Sequence, residues 1–182
     1  MRFRPLLPVI TMALSLIATA QTKSDAAAPT ANPVSSALRD ILKGREKNIV
    51  AAAELMPADK FSYKPTADQM TFGHLMTHIV EANNILCSKA SGASAPKAEE
   101  VKDTESKDKL VSALKASFDF CSEALSKMDD SKLSDSSEIF GGQHSRAWAS
   151  LVLASSLADH YGAEAMYLRL NGLTPPTAKK KD

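Results

Sequence analysis

Four stretches of this chain repeat apolar residues at three- and four-residue steps, and no stretch between them alternates as a strand would. That pattern limits the fold more than any other feature. The first run spans 33–56. It places Val34, Leu38, Ile41, Leu42, Ile49, Ala52, Ala53 and Met56 on one side. Asn32 is suited to cap it, Pro33 suits the first helical position, and Pro57 ends it. The second begins after Thr71, a good N-cap. It carries Phe72, Leu75, Met76, Ile79, Asn83 and Leu86, and ends near Ser91, where Gly92 supplies a left-handed cap. The third, 107–128, steps through Val111, Leu114, Phe118, Cys121, Leu125 and Met128. The fourth, 145–171, is stopped by Gly172 and the Pro175-Pro176 pair. Four amphipathic helices without strands predict an all-α four-helix bundle over residues 33–176. The segments between them read as polar loops. One is "DDSKLSDSSEIFGGQ", closed by a glycine pair. In another, "ADKFSYKPTADQM", Phe61 and Tyr63 are placed to cover one end of the bundle.

The first twenty residues differ in kind. "MRFR" is a basic start, "PLLPVITMALSLIA" a short apolar run, and "ATA" offers small residues before Gln21. Together they predict a signal peptide over residues 1–20, cleaved after Ala20, and therefore an exported, periplasmic or secreted protein. No later run is long and apolar enough for a stable membrane span. Residues 21–32 are small and polar and read as a disordered leader; 177–182 form a short basic tail. Removing Arg2 and Arg4 with the signal leaves 20 basic against 21 acidic residues, a balance that gives no pull toward nucleic acid.

Chemistry is sparse. On a wheel of about 100° per residue, Ala149, Val152, Leu153, Ser156, His160, Ala163, Tyr167 and Leu170 share one side of the fourth helix. Glu164 falls at the edge of that stripe. A polar run within a buried face asks for partners. On the second helix, His74 and His78 are one turn apart, a spacing able to hold one metal ion, and His78 lies nearer the apolar face. His144 lies sixteen residues before His160, about 24 Å along a helix, too far to share its site. Cys87 and Cys121 are an even pair in an exported chain. They are either a disulfide tying the second helix to the third, with about 3–4 kcal/mol of stabilisation, or two buried thiols.

The stretches "TFGHLMTHIVEANNILCSKASG" and "HYGAEAMYLRLNGLTPP" resemble the DinB-like family, in particular its exported bacterial branch. The resemblance covers most of the chain after the signal. It implies a bundle with an up-down-down-up path, often a homodimer, and a divalent metal held by three histidines. One of these is on the second helix and two are on the fourth, spaced HxxxH. His78 matches the ligand on the second helix, and His160 the second ligand on the fourth. The remaining ligand position is occupied by Ser156, a weak donor for Zn, Ni or Fe. One reading is a weak, opportunistic site that fills only in high metal; two others bear on function. In one, the site is degenerate and the bundle binds a small molecule or a partner. In the other, Glu164 or His74 is a third ligand, and the protein is a metal-dependent hydrolase or a thiol-dependent transferase.

Overall fold

The computed structural model describes residues 31–97 and 101–178; the predicted signal peptide, most of the leader and the last four residues of the tail lie outside them. Four helices form where the apolar periodicity placed them: α1 (Pro33–Leu55), α2 (Phe72–Ser91), α3 (Lys107–Ser126) and α4 (Arg146–Leu170). Their ends follow from local chemistry. The Thr71 hydroxyl accepts from the His74 amide at 3.0 Å. Ser106 and Ser145 cap α3 and α4 in the same way. Gly92 closes α2 at a φ of 79°, a left-handed turn that suits glycine. Each hydroxyl or carboxyl cap satisfies a backbone donor that the helix itself leaves open.

Contacts at the helix ends give the topology. Lys107 at the start of α3 donates to the Glu54 carbonyl at the end of α1, so α1 and α3 are antiparallel. Asn83 meets Ser117, and Cys87 is bonded to Cys121, both with a sequence offset of 34, so α2 and α3 run parallel. The Tyr167 hydroxyl near the end of α4 donates to the Met70 carbonyl just before α2, while Arg146 at the start of α4 reaches the Ser91 carbonyl at the end of α2. Helices α2 and α4 are therefore antiparallel. The path is up, down, down, up, and the parallel α2–α3 pair obliges the connection 92–106 to return along the bundle. Helices α1 and α2 each pack against both α3 and α4.

The 56–71 connection covers one end of the bundle as expected. Phe61 is buried against the edge of Phe72 with ring centres 5.2 Å apart, and Tyr63 meets Tyr167 edge-on. Of the two readings of the cysteines, the disulfide is the one present, with Cα atoms 5.2 Å apart.

Three expectations are corrected. The segment read as a polar loop holds a β-hairpin, β1 (Ser136–Ile139) and β2 (Gly142–Ser145), in antiparallel register from Ser136↔Ser145 to Ile139↔Gly142. Its two turn residues, Phe140 and Gly141, both have positive φ, the backbone of a tight hairpin turn. Only Ile139 points into the core, so four-residue strands carried no alternating signal. Asn32 does not cap α1 with its side chain. Asp130 does so instead, its carboxylate accepting from the Val34 and Ser35 amides at 2.9 and 2.8 Å, while Asn32 accepts from the Asp130 amide. Finally, Val34, Ile41 and Leu170 were placed on buried faces and are exposed.

Candidate functional site

The antiparallel seam between α2 and α4 brings His78 and His160 together. Their ring centres lie 5.1 Å apart, edge to face at 86°. His78 stands at the exposed margin of α2; His160 is half-buried. Burial, with the His78 ring adding to it, pulls the His160 imidazole down to about 4, although Asp159 works in the opposite direction. At neutral pH His160 is therefore a neutral ring. Its Nδ1 is buried and has no hydrogen-bond partner.

Glu164 follows one turn later on α4 and is 0 % exposed. Neither of its carboxyl oxygens has a partner. Burial holds the group well above the usual carboxylate range and favours the neutral acid. Its placement corrects the helical wheel, which put Glu164 at the edge of the buried stripe and Ser156 and His160 near its middle. The buried face in fact runs through Leu153, Leu157, Tyr161, Glu164 and Leu168, with Ser156 and His160 half-buried. The cause is composition. Helix α4 is apolar on most of its circumference, so periodicity alone could not choose the inward face.

His74 goes elsewhere. It is exposed, and its Nδ1 lies 3.4 Å from the Asp103 carboxylate on the 92–106 connection. His144 is also separate, stacked on Trp148 at 4.0 Å.

A cavity of about 610 Å³ opens beside His78, between α2 and the returning connection. Its walls are mixed: His74, Thr77, Glu81 and Asn84 against Val80, Ile85, Pro96 and Val101. A smaller apolar cavity of about 280 Å³ shares Val80, Asn84, Pro96 and Val101 and extends toward Phe120 on α3. Sequence reasoning missed Asn84. Its neighbour Asn83 is buried and donates to the Ser117 hydroxyl at 3.0 Å. Asn84 lines both cavities, and its buried Oδ1 has no partner. The adjacent asparagines in a helical apolar run were the available signal.

The DinB superfamily is often metal-associated. Among the described residues, however, no three His, Cys, Asp or Glu side chains converge as a ligand set. His78 and His160 meet, His74 is drawn to Asp103, and Glu164 is turned into the core. The arrangement present fits a two-imidazole contact and not a three-ligand centre.

A model of the DinB superfamily matches residues 41–163. Among solved structures, a DinB-like protein from Bacillus subtilis is similar at a TM-score of 0.66 and 19% identity, over 80% of this chain and 99% of that one. A second, from Bacillus cereus, gives 0.65 and 18%, over 79% and 97%. At that identity the two show the fold alone. No curated protein matches.

Proposed function

Because the chain belongs to the DinB superfamily, we propose that it is an exported member with a degenerate centre, whose role is to bind a small molecule beside His78. The observation that carries this reading is the isolated imidazole pair. His78 and His160 touch at 5.1 Å at positions matching family ligands, while Ser156 occupies the position of the third. The mixed cavity suits a neutral, partly apolar molecule. Val80, Ile85, Pro96 and Val101 would take its body, and the free Oδ1 of Asn84 would accept one hydrogen bond.

The second reading is a metal-dependent hydrolase or thiol-dependent transferase centred on the same two histidines. One observation favours it: the Glu164 carboxyl sits one turn from His160 with both oxygens unpartnered.

Elemental analysis of the purified protein separates the two. The degenerate centre predicts well under one zinc, nickel or iron per chain, unchanged in His160→Ala, and close to one per chain in Ser156→His. One metal per chain in the unaltered protein, lost in His160→Ala, would transfer the assignment to the second reading.

A further inference from the structure

The cavity beside His78 continues into the smaller one. Val80, Asn84, Pro96 and Val101 are common to both, and the smaller cavity runs on past Ala113 and Ala116 to Phe120. Together they form one groove, mixed at the His78 end and apolar at the α3 end. Its outer wall, the 92–106 connection, is fastened near both ends. The Ser88 hydroxyl donates to the Ala93 carbonyl at 2.7 Å. Asp103 lies so close to α2 that a Cβ added at Gly73 would overlap its carbonyl oxygen. The polar groups that α2 turns to the groove are a row of acceptors at 77, 81 and 84, successive turns of one helix face. Thr77 donates its hydroxyl proton to the His74 carbonyl at 3.0 Å, which leaves its oxygen to accept. Glu81 has no ion-pair partner among the described residues. The Asn84 Oδ1 is buried without a hydrogen bond.

We propose that this groove takes an uncharged amphiphile, an unbranched alkyl chain ending in a carboxamide, with the chain directed toward Phe120 and the carboxamide at Asn84 and Glu81. The proposal names a ligand class for the small-molecule site described above and rests on that reading. A row of acceptors selects a head group that brings donors. The two N–H groups of a carboxamide meet the Asn84 Oδ1 and the Glu81 carboxylate, and its carbonyl accepts from the Asn84 Nδ2. The chain lies along Val80, Pro96, Val101 and Phe120, where it leaves no polar group unpaired. An alkyl carboxylate of the same length brings no donor and sets a second negative charge beside Glu81, so the groove discriminates against it.

NMR titration of the purified protein tests this, with butyramide, hexanamide and octanamide each set beside butyrate, hexanoate and octanoate. Affinity for the carboxamides should rise about two- to fourfold for each added methylene. Each should bind at least about tenfold tighter than its carboxylate, and Glu81→Gln should remove most of that preference. Asn84→Leu should weaken every carboxamide by about tenfold. Ala116→Phe, at an exposed position on α3, fills the far part of the groove. It should flatten the dependence on chain length and leave butyramide binding unchanged. If butyramide shifts the His78 ring resonances but longer chains gain nothing, the chain site is overturned and the small-molecule reading stands. Equal binding of carboxamides and carboxylates, a dependence on chain length that Ala116→Phe leaves intact, carboxamide binding unchanged in Asn84→Leu, or no carboxamide binding at all also overturns the proposal. The metal content of the unaltered protein and of His160→Ala judges the underlying reading separately.

Discussion

Helix α2 has two polar seams, and they are built differently. Against α3, the buried groups are joined in sequence, Cys87 to Cys121, Asn83 to Ser117, and the Ser117 hydroxyl onward to the Leu114 carbonyl, with the Asn84 Oδ1 at the cavity margin as the exception. Against α4, His78 and His160 touch, but the His160 Nδ1 and both Glu164 oxygens are left without partners. The first seam is closed by its own bonds and serves stability. The second carries polarity that the fold does not use. A buried polar group without a partner costs free energy.

The largest test of this contrast is the disulfide. Opening it with Cys87→Ala and Cys121→Ala together should cost about 4 kcal/mol in the chain-entropy estimate for a 34-residue separation. Urea unfolding measures it, and a loss below about 1 kcal/mol would mean that the α2–α3 seam does not depend on the bridge. Next, Asn83→Ala removes the donor to the buried Ser117 oxygen, while the Ser117 hydroxyl keeps its bond to the Leu114 carbonyl, and should cost about 1–2 kcal/mol.

Glu164→Leu should do the opposite and stabilise the metal-free protein by about 1–2 kcal/mol, because it removes a buried group that bonds to nothing. If it destabilises instead, Glu164 has a partner and the two seams are alike.

The smallest effect is in pH. The folded His160 titrates near 4 against an ordinary 6.5, so the unfolded chain binds the extra proton between those values and stability rises with pH across that window. Glu164 is raised above 4.5, so the folded chain holds the extra proton and stability falls as pH increases from about 4.5 toward its folded value. The two slopes oppose each other where their windows overlap. Glu164→Gln should remove the opposing contribution of Glu164, so thermal melts of the two proteins diverge as pH rises from about 4.5, and an identical pH dependence in both would break the assignment.

The contrast was only half legible in the residues. Thr71 and Gly92 announced the ends of α2 because caps act over three or four positions, and the structure uses both. His78 and His160 could be paired because a family resemblance related two distant helices. Other features depended on tertiary contacts that no local pattern encodes. Asn32 looked like a cap, but Asp130, 96 positions from Val34 in the chain, performs that role. Ser117 gained its meaning only once α2 and α3 ran parallel. Glu164 was misjudged because α4, with Leu151, Met166 and Leu170 facing out, offers no unique apolar side. The hairpin escaped notice because its turn uses Phe140-Gly141 where Asn-Gly would have signalled it.

The Asp130 cap also bears on the order in which the chain can be completed. The opening amides of α1 depend on a carboxylate that follows α3, so the first of the four described helices is among the last of them to have its start secured. Until residue 130 has emerged, those donors have only water to bond, and the start of α1 frays. A chain cut short before Asp130 would lack that clasp even with the core-facing residues of three helices present. The beginning of this bundle is therefore fastened from near its end, and its assembly is tied to the arrival of most of the sequence.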